Sequence, residues 1–176
     1  MELDEIVDRM SIIDVITRYA RSVDRQDFEL ARSCYHADAF DDHGRYKGDV
    51  DGLIDFFRVL GATLRITTHQ MGTPHIELVG DTAWVETYCL FRRDSYNATP
   101  EDAVMQGLRY LDKFERRQDK WAIVHRQVVL DWEQSGAHAA MPPSSDAWRR
   151  GGHGETDPSY DFFKEAAAAT AESPST

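Results

Sequence analysis

The chain has 176 residues, enough for one domain with an appendage and long enough to bury a core without disulfides. Its hydrophobic content of 41% sets it among globular proteins, and no apolar run approaches the roughly 18 residues needed to span a bilayer. A net charge of -11 repels phosphate backbones, so neither nucleic acid nor a membrane is an expected partner.

The opening MELDEIVDRM is acidic and amphipathic, without the basic and apolar regions of a signal peptide, and the expected compartment is the cytoplasm. Apolar residues at Ile6, Met10, Ile13, Ile16, Tyr19 and Val23, with Ile12 and Val15 beside them, recur in steps of three and four. That spacing predicts an amphipathic helix. The pattern breaks from Asp24 to Asp27. A short second helix follows, capped by Asp27, with Phe28, Ala31, Cys34 and Tyr35 on one face. Phe40 to Tyr46 reads as a strand. Gly48 to Leu60 reads as a third helix that buries Leu53, Phe56, Phe57 and Leu60 and stops at Gly61.

The period then changes to two. Thr67 to Val79 predicts a strand bent near Gly72 and Pro74, and Gly80-Asp81 a turn. Thr82 to Arg93 alternates, with Ala83, Val85, Thr87, Cys89 and Phe91 opposed to Trp84, Glu86, Tyr88 and Leu90. Val104 to Arg116 alternates again, Gln118 to Lys120 forms a tight turn, and Trp121 to Trp132 is the last strand. Helices grouped ahead of strands joined by short turns imply an α+β fold: a curved antiparallel sheet with N-terminal helices across its open side, enclosing a cavity. This domain covers residues 1–132. Residues 133–176 are rich in Gly, Pro, Ser and Ala yet hold Trp148, Tyr160, Phe162 and Phe163. They read as an arm that folds over the pocket or onto a neighbouring subunit, with a frayed helix at 166–171.

Recognisable cofactor motifs are missing. None of the seven histidines forms a metal-binding pair with helical spacing, and His75-Ile76-Glu77 lacks the downstream cysteines of a zinc deaminase. There is no Gly-rich nucleotide loop and no serine elbow. Cys34 and Cys89 read as free buried thiols, too few for a disulfide framework or a structural zinc site. Acid–base chemistry remains, with no metal or other cofactor expected. Tyr19 on the first helix, Asp24 at its break and His69 in an apolar-flanked strand are the candidates. A carboxylate beside an imidazole fixes its tautomer and raises its basicity, and a phenol can donate to a developing oxyanion. Taken singly, each also fits a structural role, Asp24 in a turn and the other two in the core.

The strings IIDVITRYARSVDRQDFELARSCYHADAF, YKG, TTHQMGTPHIELVGDTAWVETY and GLRYLDKFERRQDKWAIVHRQVVLDW, in this order, resemble a SnoaL-like domain of the nuclear-transport-factor-2-like superfamily. Within it the pattern is nearest to bile acid 7α-dehydratase and γ-hexachlorocyclohexane dehydrochlorinase, with scytalone dehydratase and ketosteroid isomerase more distant. The resemblance implies a cone-shaped, cystatin-like α+β barrel with an Asp–His dyad on Asp24 and His69. It places the dehydratase's tyrosine on Tyr19 and the dehydrochlorinase's last-strand arginine on Arg126, with His125 as its rival. The function it implies is a cofactor-independent lyase acting on a small ring-containing molecule: a dehydratase, a dehydrohalogenase or a carbon–carbon lyase that releases an aldehyde. The alternatives are an isomerase or cyclase using the same base, and a non-catalytic binding or assembly domain. Phe40, Trp84, Tyr88 and Tyr110, with Tyr46, are the aromatics expected to meet the substrate. A homo-oligomer, dimer or trimer, is expected through the outer sheet face, with Val85, Val128 or their neighbours on it.

Overall fold

In the computed structural model, which describes residues 2–96, 103–135, 152–157 and 160, the first apolar stripe winds into helix α1 (Leu3–Arg25). Ile12, Val15, Ile16 and Tyr19 are buried along one side of it. The helix stops where Gln26 enters the left-handed region at φ 57° and the Asp27 N–H returns to the Ser22 carbonyl at 2.8 Å. That stop leaves Asp24 in the last turn, buried on the sheet side. Asp27 then caps α2 (Phe28–Ser33) as expected, accepting the Leu30 N–H at 3.1 Å. Helix α2 is shorter than its apolar spacing suggests. Cys34 follows its end and Tyr35 opens strand β1 (Tyr35–Asp42). The expected strand at 40–46 is instead the end of β1 and a turn into β2 (Lys47–Asp49). Asp49 caps α3 (Val50–Gly61) through the Gly52 N–H at 2.8 Å.

The bent strand expected at 67–79 divides at Gly72 and Pro74 into β3 (Leu64–Met71) and β4 (His75–Val79). Both pair with β5 (Thr82–Ser95), β4 along its first half and β3 along its second. Two-residue turns at Gly80-Asp81 and Gln118-Asp119 close the hairpins into β5 and between β6 (Val104–Arg117) and β7 (Lys120–Ser135). The sheet order is β2-β1-β7-β6-β5-β3, with β4 beside β5. One pair departs from the antiparallel expectation: β1 lies parallel to β7. A parallel neighbour needs a long crossover, and the whole chain from β2 to β6 lies between them. Register shifts in the β6–β7 ladder, at Gly107/Leu108 and Lys113/Phe114, bend these long strands. At Gly107 the Trp132 indole crosses so closely that a Cβ has no room.

Helix α1 packs across β3 and β7, and Ile12, Val15 and Ile16 join Ala83, Phe114 and Ile123 in one core. Strand parity decides the rest. On β5 the odd residues Ala83, Val85, Thr87 and Cys89 are buried, and Trp84, Tyr88 and Leu90 are exposed. Val85 and Val128 therefore belong to the inner side, and of the residues expected on the outer face it is a neighbour, Trp84, that lies there. Cys34 and Cys89 are free and buried, and burial pushes their thiols up to about 11 and about 12.

Past the expected boundary at 133, β7 continues to Ser135. The next described residues dock on the end of α1: Asp157 pairs with Arg25 at 3.2 Å and the Tyr160 hydroxyl donates to Asp27 at 3.3 Å. His138, Trp148, Phe162, Phe163 and 166–171 lie outside the described residues. Among the described residues no helix is long and apolar enough to cross a membrane.

Candidate active site

The helices and the concave sheet face enclose a cavity of about 310 Å³, within the size range of small-molecule sites. Phe28, Phe56, Phe57, Phe91, Leu108 and Val128 give it an apolar wall. Arg45 and Arg93 line it too, with Glu133 near enough to favour the Arg93 charge.

Asp24 and His69 come together at this wall, with His69 lining the cavity and Asp24 buried behind it. Strand β3 is bonded to β5 on one side only, and on its free edge the His69 N–H donates to Asp24 Oδ2 at 2.9 Å. His69 Nδ1 lies 2.6 Å from the other carboxylate oxygen. One carboxylate thus closes a sheet edge and orients a ring. An ionised carboxylate only accepts, so the proton sits on Nδ1 and the Nε2 lone pair is left for the cavity. Phe91 packs on the imidazole, with ring centres 4.7 Å apart. The apolar surroundings exclude water from the ring except on the cavity side.

Tyr19 stands edge-on to His69, centroids 6.5 Å apart, but it is fully buried and lies behind the wall. Its hydroxyl has no hydrogen-bond partner among the described residues, and burial raises its pKa above the ordinary phenol value. Arg126 is buried as completely. Its guanidinium makes a two-pronged bond to Asp112, 2.7 Å on each arm, and its carbon lies 4.0 Å from the Tyr19 ring centre and 4.5 Å from that of Tyr110. Burial opposes the charge, but Asp112 outweighs it and holds Arg126 protonated, above its usual range. Both residues sit one layer beneath the surface a substrate would touch. His125, the rival for the Arg126 role, is exposed on the outer face and stacks on Phe40.

Of the expected substrate-binding aromatics, Tyr110 lines the cavity. Phe40, Trp84 and Tyr88 do not: they are exposed on the opposite face of the sheet, a correction that follows from strand parity. Tyr46 stacks on Phe56. The apolar wall comes instead from α2, α3 and the inner residues of β5 to β7, whose shared face is invisible until the elements pack.

A second carboxylate–imidazole pair was not anticipated. His43 lines the same cavity, and its Nδ1 lies 3.0 Å from Asp41 Oδ1. The Tyr35 hydroxyl donates to Asp41 Oδ2 at 2.8 Å, and Arg126 Nη1 donates to the Tyr35 oxygen at 3.1 Å. Burial penalises the Asp41 carboxylate, but His43, Arg126 and Tyr35 outweigh it and hold its pKa below the usual range. The sequence signal was Asp-x-His at a strand end, too common to single out. Among the described residues no group of three or more metal-ligating side chains comes together.

A bent sheet closed by helices over one apolar cavity, with carboxylate–imidazole pairs on its wall, has the build of a small-molecule α+β domain. The model of the SnoaL-like domain matches residues 4–127, and the chain belongs to that family. It is 28% identical over 131 residues to an uncharacterized protein of Mycobacterium tuberculosis, covering 72% of this chain and 87% of the relative. In fold it is similar to a hexachlorocyclohexane dehydrochlorinase from Novosphingobium barchaimii LL02, with TM-score 0.72 and 18% identity over 82% of this chain and all of that one (100%). It is also similar to a protein with a cystatin-like fold from Nostoc punctiforme, with TM-score 0.60 and 20% identity over 71% of this chain and 92% of that one.

Proposed function

We propose that the protein is a cofactor-independent lyase acting on a small ring-containing molecule, with His69 as general base. The observation that supports this reading is the Asp24–His69 pair on an apolar cavity wall, with Nδ1 engaged and Nε2 left to accept a proton. His69 removes a proton from an activated carbon, a double bond forms and the neighbouring substituent departs with its bonding pair as hydroxide or halide. In the aldehyde-releasing variant the base takes the proton of a substrate hydroxyl instead, the O–H pair becomes the C=O bond, and the C–C bond breaks with its pair left on the remaining activated carbon. Asp24 stabilises the imidazolium that results. The wall of phenylalanine, leucine and valine suits a ring, and Arg45 and Arg93 suit a polar substituent on it. Arg126 acts through Tyr35 and Asp41, which reach His43 on the cavity wall, and Tyr19 packs edge-on against His69 and Tyr110. A panel of aromatic and steroid-like alcohols, followed by ultraviolet absorbance, tests the reading. Elimination into conjugation produces a new band with the wild type, and a panel that gives no band and no product by mass spectrometry would sink it.

We also propose that the chain works as a homo-oligomer. Phe40, Trp84, Tyr88 and Trp132 are all more than two-fifths exposed on the outer sheet, a large apolar investment for a face left to water. Light scattering at micromolar concentration is expected to give a dimer or trimer, and Trp84→Glu with Tyr88→Glu is expected to shift it toward monomer. A wild type that scatters as a 20.1 kDa particle argues against this.

A further inference from the structure

We propose that His43, held by Asp41, is the general acid of the cavity and protonates the leaving group as His69 takes the proton. This rests on the lyase reading and adds its missing half. An alkoxide or hydroxide leaves poorly unless it is protonated as the bond breaks. The residues first expected to assist it, Tyr19 and Arg126, are both fully buried and absent from the cavity wall. His43 is on that wall.

Three observations suit it to donate. Its Nδ1 is engaged by Asp41, so Nε2 is the ring nitrogen left for a ligand. Its charge has a reason to be there. Asp112, Arg126 and Asp41 form one buried chain through Tyr35, and two carboxylates against one guanidinium leave a negative charge that an imidazolium at His43 balances. Exposure separates the two histidines: the His43 side chain is 17% exposed and that of His69 4%. The more exposed ring has solvent beside it from which to reload a donated proton.

The step balances. The C–H proton goes to His69 Nε2 and the C–H electron pair becomes the new π bond. The bond to the leaving oxygen breaks with its pair on oxygen, which takes the Nε2 proton of His43. The products are an alkene and a neutral alcohol, phenol or water. His69 ends protonated and His43 neutral, and exchange with solvent restores both.

A pair of aryl ethers tests this without knowledge of the natural substrate. 4-(4-Nitrophenoxy)butan-2-one and 4-(4-methoxyphenoxy)butan-2-one lose the same proton, beside a ketone, and expel phenols of very different acidity. His43→Gln is expected to lower release of 4-nitrophenol only several-fold, because that phenoxide leaves unaided. Release of 4-methoxyphenol is expected to fall roughly 10²- to 10⁴-fold. His69→Ala is expected to slow both equally, and Asp41→Asn to follow His43→Gln. Equal losses on the two ethers in His43→Gln, or none, overturn the assignment while leaving the base intact. A wild type that accelerates neither ether overturns the lyase reading and the general acid with it.

Discussion

His69→Ala is expected to lower kcat by roughly 10²- to 10⁴-fold, the range for loss of a positioned general base. The fold should survive. Asp24 loses the imidazole but keeps the His69 backbone N–H, which the substitution does not remove. The partner carboxylate is therefore not stranded, and the melting temperature should fall by only a few degrees. Asp24→Asn is a sharper test of the geometry. It removes the negative charge that fixes the Nδ1–H tautomer and weakens the cap on the free edge of β3, so both rate and stability should fall. If His69→Ala keeps most of the wild-type rate, the base is misassigned, and His43 becomes the candidate. His125 no longer competes, because it faces away from the cavity. Circular dichroism alongside the kinetics separates loss of chemistry from loss of fold.

Arg126→Met is expected to show first as instability. Removing one member of a buried ion pair costs about 3–5 kcal/mol, because the other is left charged and unpaired. For a chain of this size that is roughly 6–20 °C in melting temperature. Asp112 would lose both of its 2.7 Å bonds, and the Tyr35 oxygen would lose its donor. Adding Asp112→Leu to Arg126→Met should recover part of the loss, since an apolar pair of similar volume replaces a buried ion pair at little cost. Differential scanning calorimetry of the two single variants and the double variant measures the coupling. If Arg126→Met melts within about 2 °C of the wild type and yet loses activity, the guanidinium acts on the substrate, and its burial is relieved when ligand binds.

The first helix, the Asp27 cap, the Gly80-Asp81 turn and the alternation on β5 and β6 were legible in the sequence, although Ile6 and Met10 of the expected stripe are exposed. Each depends on residues close together in the chain, where periodicity and capping operate. The Asp24–His69 pairing was different: it came from resemblance, since no local rule joins residues 45 positions apart. The same limit explains the errors. Trp84 and Tyr88 alternate with the core residues of β5, and alternation shows that a strand has two faces without saying which one the helices cover. The parallel seating of β1 against β7 depends on where the whole intervening chain returns. Arg126 also came from resemblance, with His125 as its rival, and only packing showed that Asp112, Tyr19 and Tyr110 consume it before a substrate can. His43 and Asp41 sit two apart in a stretch with no apolar period, and they became a pair on the cavity wall only when α3 closed over the end of β1. The sequence by itself therefore determined most of the elements, because these follow from short-range spacing. The tertiary structure alone decided which charged groups are buried, because burial depends on what covers a residue, and that comes from distant parts of the chain.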